Sequence, residues 1–169
     1  SKTSALERSK MLRNLHDAIL DNQDALAELL TLEQGKSLAE AKGEIAGSAS
    51  YVLWFAEEAR RTYGDVVPSP WADRRIMVTK QPVGVIAAIT PWNFPSSMLA
   101  RKIGPAIAAG CTSVVKPASQ TPYSGLAWAA LAEEVGIPKG VINVVTGSAG
   151  EIGDELCTNP IVKKITFTG

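Results

Sequence analysis

The chain has 169 residues, 46% of them hydrophobic, with 17 basic and 17 acidic side chains, one histidine and two cysteines. That length and apolar content suffice for an ordinary globular core and exclude a disordered or fibrous chain. Zero formal net charge, with the doublets Arg60-Arg61, Arg74-Arg75 and Lys163-Lys164 scattered among acids, excludes the basic stripe of a nucleic-acid binder.

No apolar run approaches the roughly 20 residues of a membrane-spanning helix. The segment Ser1-Lys2-Thr3-Ser4 opens a charged amphipathic helix rather than a signal sequence. The expectation is a cytoplasmic protein with neither nucleic acid nor membrane as partner. From Leu6 to Leu32, Leu12, Leu15, Ile19, Leu26, Leu29 and Leu30 recur at helical spacing and predict one amphipathic helix ended by Gly35. A second helix starts at Ser37, where Ser37-Leu38-Ala39-Glu40 has the capping-box form, and runs through Trp54 and Phe55 towards Arg61. Residues 1–63 are thus expected to form a helical hairpin. Lone His16 falls on its polar side and is expected at the surface, not in a metal site.

Residues 64–82 carry Pro68, Pro70 and Pro82 around Arg75-Ile76-Met77-Val78-Thr79, an alternating segment that reads as an exposed edge or arm strand. The continuous apolar run Val83 to Ile89 reads as a parallel strand covered on both faces. A helix from Ser97 to Ala109, a strand from Thr112 to Val115 and a helix from Pro122 to Val135 follow, the last with Thr121 as N-cap. A strand from Val141 to Val145, a short helix from Ala149 to Leu156 and a strand from Lys164 to Thr168 complete β-α-β-α-β-α-β over 83–169. Right-handed crossovers make this an open, doubly wound parallel α/β sheet of Rossmann-like type.

Cys111 and Cys157 have neither the number nor the spacing of a disulfide framework or metal site. Gly147-Ser148-Ala149-Gly150-Glu151-Ile152-Gly153 is spaced G-x-x-G-x-x-G, not G-x-G-x-x-G, and a helix-capping glycine turn explains it as well as a dinucleotide motif does. Polar groups at the exits of parallel strands are the better place for a ligand. Asn93, in Thr90-Pro91-Trp92-Asn93-Phe94-Pro95, offers two amide donors suited to a developing oxyanion; its other reading is a cap on the next helix or a turn residue. Lys116, fixed in its exit path by Pro117, can reach a ribose or phosphate along the sheet edge. Arg101 is either an arginine snorkelling from an apolar helix or a bidentate partner for a carboxylate.

These segments, with Arg101-Lys102-Ile103-Gly104-Pro105-Ala106, Ala109-Gly110-Cys111-Thr112, Lys116-Pro117-Ala118-Ser119-Gln120-Thr121-Pro122 and Phe167-Thr168-Gly169, resemble the aldehyde dehydrogenase superfamily. Within it they resemble the bacterial succinate-semialdehyde dehydrogenases that prefer NADP. The resemblance implies part of a cofactor-binding domain from a longer enzyme that oxidises succinate semialdehyde to succinate through a cysteine thiohemiacetal and hydride transfer.

The resemblance also implies roles by position. Asn93 would be the catalytic oxyanion donor. Trp92, Asn93, Lys116, Pro117, Ala118, Ser119 and Gly169 would bind the coenzyme, and Arg101 the distal carboxylate of the substrate. Ser119 stands where NAD-preferring relatives carry glutamate, which makes NADP the expected coenzyme, with NAD possible; its alternative is an indifferent turn residue. The glycine-rich loop would border the adenine pocket, and the strand at Arg75 to Thr79 would pair with a neighbouring subunit in a homo-oligomer. Neither cysteine matches the family nucleophile, so these residues alone are expected to be inactive. Another aldehyde as substrate, or a non-catalytic nucleotide-binding or pairing module, are the alternatives.

Overall fold

A computed structural model describes residues 3–169. Ser4 opens α1 (Ala5–Asp21) with a capping box: its hydroxyl accepts from the Glu7 N–H at 3.2 Å, and its own N–H donates to the Glu7 carboxylate at 2.6 Å. The single helix expected from Leu6 to Leu32 is two, because α1 gives way at Asn22 to α2 (Gln23–Gln34). The Asn22 side chain donates to the Ala18 carbonyl at 2.9 Å, the same carbonyl that its backbone N–H uses at 3.1 Å. Such a polar side chain competes with the helix ladder and bends it. Gly35, in the left-handed region at φ +91°, ends α2.

The capping box at Ser37 is present and opens α3 (Leu38–Glu58), which continues into a 3-10 turn at Ala59–Arg61. The expected hairpin is therefore a three-helix layer. His16 is half-buried rather than on the surface, with Nδ1 2.9 Å from the Ala49 carbonyl and therefore donating to it. Among the described residues there is no cluster of metal-ligating side chains and no helix long and apolar enough to cross a membrane.

The strand expected at Arg75 to Thr79 is β2 (Ile76–Val78). It pairs antiparallel with β1 (Asp65–Val67), which periodicity did not reveal, in an exposed two-stranded ribbon. Gly64 precedes it because a Cβ there would lie 1.8 Å from the Val78 carbonyl oxygen.

The main sheet holds β3 (Val85–Ile89), β4 (Thr112–Lys116), β5 (Ile142–Val144) and β6 (Val162–Phe167), all parallel, in the order β5-β4-β3-β6. The chain builds outward from β3 to β5, then crosses to the other side of β3 for β6. This is the doubly wound arrangement expected from the sequence. Between the strands run α4 (Pro95–Ala109), α5 (Pro122–Glu134) and α6 (Ala149–Thr158).

One continuous core joins the helical layer to the sheet, with Leu12, Ile45, Val52, Leu99, Ile103 and Val115 among its fully buried side chains. At the crossing of α3 and α4 the backbone of Gly104 comes close to Phe55, where a Cβ would lie 3.0 Å from the ring. Trp128, 0% exposed, donates its indole N–H to Ser96 Oγ at 3.0 Å, and Ser96 Oγ is 2.9 Å from Ser48 Oγ. This buried polar chain ties α3, α4 and α5 together with each member satisfied.

Candidate active site

The carboxyl ends of β3, β4 and β6 lie side by side. The Thr90 N–H donates to the Lys116 carbonyl at 3.3 Å and the Thr168 N–H to the Ile89 carbonyl at 3.1 Å. The order β5-β4-β3-β6 makes β3 and β6 the pair where the winding reverses, and ligands of open α/β sheets bind outside the strand ends at that switch. A cavity of about 470 Å³ opens there, lined by Thr90, Lys116, Pro117 and Ala118 from one side and by Ala149, Gly153 and Phe167 from the other.

Lys116, the last residue of β4, is buried. Its ammonium donates to the Pro117 carbonyl at 3.0 Å and to Ser119 Oγ at 3.2 Å. No carboxylate pairs with it among the described residues. A buried ammonium without a counter-charge, beside a serine hydroxyl, suits the hydroxyls or phosphate of a nucleotide ribose.

Trp92 and Asn93 lie on the loop after β3, and both are exposed. Phe94, not Asn93, occupies the N-cap position of α4, and it makes no side-chain cap. The capping reading of Asn93 therefore fails: its amide makes no hydrogen bond among the described residues and keeps both donors free. The cap comes from α3. Glu44 Oε1 accepts from the Ser96 N–H at 2.9 Å and the Ser97 N–H at 3.1 Å, and the carboxylate side chain is 1% exposed.

The next loop repeats the device. Thr121 sits at the N-cap position of α5, but its buried hydroxyl has no partner, contrary to the expected cap. Glu33 of α2 accepts instead from the Tyr123 N–H at 2.8 Å and the Ser124 N–H at 2.9 Å. The helical layer thus fixes both turns that leave the sheet towards the cavity. Ser148 is the N-cap of α6 and accepts from the Glu151 N–H. The glycine-rich loop is therefore a helix-capping turn, and its Ala149 and Gly153 border the cavity.

Arg101 is not brought to this cavity. It lines a second one of about 350 Å³ with Lys102, Gln81 and Thr166, and its guanidinium carbon lies 4.5 Å from the Tyr51 ring centroid. Its exposed head is held by this cation–π contact rather than by a carboxylate. Beside it, buried Lys102 donates to Thr166 Oγ1 at 3.1 Å and Thr168 Oγ1 at 2.8 Å, and burial lowers its pKa. Gly169 follows Thr168 directly and is exposed.

Cys111 is buried, and Cys157, although largely exposed, touches the switch-point cavity. The sequence reading missed Lys36, Glu33 and Glu44. Only the Glu residues left a trace, as acids at inward-facing positions of helices.

The aldehyde dehydrogenase family model matches residues 1–169. The glutarate-semialdehyde dehydrogenase of Pseudomonas aeruginosa is 66% identical over 98% of this chain and 34% of its own length. The NADP(+) succinate-semialdehyde dehydrogenase of Escherichia coli is 61% identical over 98% of this chain and 34% of its own. Among solved structures, a succinate-semialdehyde dehydrogenase from Burkholderia pseudomallei superposes with a TM-score of 0.98 at 58% identity, covering 99% of this chain and 35% of that one. The chain spans about a third of the length of these relatives.

Proposed function

Because this chain belongs to the aldehyde dehydrogenase family, we propose that it forms the coenzyme-binding part of a cytoplasmic enzyme that oxidises succinate semialdehyde with NADP. The free amide of Asn93, on the loop that leaves β3 at the switch point, carries this reading most directly. Lys116, Pro117, Ala118 and Ser119 would hold the adenosine ribose, with Trp92 and Gly169 at its nicotinamide and pyrophosphate sides. When bound, the coenzyme supplies the hydride acceptor. The residues of this chain bind and orient: Lys116 brings an unneutralised positive charge, and Asn93 directs two N–H donors at the oxygen that gains charge as the aldehyde carbonyl is attacked. Neither Cys111 nor Cys157 is assigned the attacking role in this reading, and these residues are expected to be inactive by themselves.

Succinate semialdehyde, glutarate semialdehyde and sulfolactaldehyde, named for relatives at 58–66% identity, each carry an anionic group away from the aldehyde. That shared feature supports Arg101 as the carboxylate partner. Glutarate semialdehyde is the second reading of the substrate, favoured by the 66% relative. The test is Arg101→Ala in the full-length protein. It should lower kcat/KM for succinate semialdehyde by about 1.5–3 kcal/mol, the worth of hydrogen bonds to a charged group, and leave an uncharged aldehyde of similar length nearly unaffected. Equal losses on both aldehydes would make Arg101 structural.

A further inference from the structure

The loop that carries Asn93 has little to hold it. Pro91 and Pro95 lack N–H donors, and among the described residues the backbone of residues 91–93 makes no hydrogen bond to other backbone. Its anchor is Lys36, from the connection between α2 and α3. The Lys36 ammonium donates to the Asn93 carbonyl at 3.0 Å, pairs with Glu44 Oε2, and lies 4.1 Å from the Phe94 ring centroid. The lysine side chain is 10% exposed, and its own backbone N–H is held by Gln34 Oε1 at 3.0 Å.

One carboxylate therefore fixes both ends of the loop. Glu44 Oε1 holds the first turn of α4 through Ser96 and Ser97, and Oε2 holds the ammonium that holds the Asn93 peptide. We propose that Lys36 and Glu44 are positioning residues for Asn93, setting where its free side-chain amide points. A surface ion pair would not need this geometry. Here a buried pair spends its remaining donors and acceptors on one loop, the arrangement by which a support shell fixes a reacting group. The inference rests on the reading of Asn93 as an oxyanion donor.

The experiment uses the full-length protein and the variants Lys36→Met and Lys36→Arg. Displacing a catalytic group by about an ångström costs up to about 100-fold. Lys36→Met should accordingly lower kcat for succinate semialdehyde about 10- to 100-fold, with coenzyme KM changed by no more than roughly twofold. Arginine keeps the charge and the donors, so Lys36→Arg should recover most of the loss. In an Asn93→Ala background Lys36→Met should cost little more, because its effect runs through Asn93.

A kcat for Lys36→Met within about twofold of wild type, or an undiminished loss in the Asn93→Ala background, overturns the proposal. Crystal structures of wild type and Lys36→Met supply a readout independent of turnover. The Asn93 peptide should shift by roughly 1 Å or lose its density, and an unmoved peptide overturns the proposal as well. If wild type oxidises no aldehyde, the enzymatic reading fails, while the crystal structures still decide whether Lys36 positions this loop.

Discussion

Replacing Asn93 with alanine in the full-length protein is expected to lower kcat for aldehyde oxidation by about 10²- to 10³-fold, the cost of removing one preorganised oxyanion donor. The expectation follows from what Asn93 does not do in the fold. It neither caps α4, a task taken by Glu44, nor bonds to any described residue through its amide. An asparagine with a purely local role would show the reverse pattern: a loss of stability of about 1 kcal/mol, typical of a missing cap, with kcat little changed. Steady-state kinetics and thermal unfolding of the same variant separate the two. In the proposed role the kinetic loss should fall more on kcat than on coenzyme KM, since the donors would act on charge that develops in the transition state.

Glu44→Ala should destabilise the chain by about 3–5 kcal/mol, the range for breaking a buried ion pair from one side. The substitution strands the Lys36 ammonium and leaves the Ser96 and Ser97 N–H groups without their acceptor. Glu44→Gln can still accept from both N–H groups and should cost less. The exposed Arg13–Glu57 pair provides the contrast, with side chains 48% and 44% exposed; Glu57→Ala should cost about 0–1 kcal/mol. Urea unfolding measures both, with a shifted midpoint at constant slope. Equal midpoints for Glu44→Ala and Glu57→Ala would mean that the buried pair contributes no more than a solvated one.

The β-α-β order and the residues at the strand exits were legible in the sequence because both are local. A continuous apolar run marks a covered strand, and polar residues right after it must emerge at the sheet edge; Lys116 and Asn93 emerge there. Pro95 and Pro122 at the first helical positions also mark the starts of α4 and α5.

What closes those helices was not legible. Glu33 and Glu44 reach their partners across 91 and 52 residues of chain respectively, and no periodicity links an acid in one helix to the free N–H groups of another. Thr121 does hold the N-cap position that Pro122 marks, but Glu33, not its hydroxyl, accepts from the first turn. The break at Asn22 was hidden because the apolar spacing runs on through it, although asparagine within a helix is itself a warning. β1 was missed because three exposed residues carry no burial pattern. Arg101 in a helix and Lys116 at a strand end both read as cations open to an anionic ligand, and only the fold assigns them to different cavities.

The most direct test of the account is turnover of succinate semialdehyde by the full-length protein with NADP and with NAD, measured for wild type and for Ser119→Glu. The Lys116 ammonium and the Ser119 hydroxyl, 3.2 Å apart, offer a positive charge and a hydroxyl to a ribose phosphate. A glutamate there would set a negative charge against it, at a cost of about 1–4 kcal/mol at roughly 4 Å. NADPH formation with NADP preferred is expected, and a shift of the kcat/KM ratio towards NAD by about tenfold or more in Ser119→Glu. Absence of turnover with either coenzyme would contradict the enzymatic reading, and an unmoved ratio would contradict the assignment of the coenzyme ribose to Lys116 and Ser119.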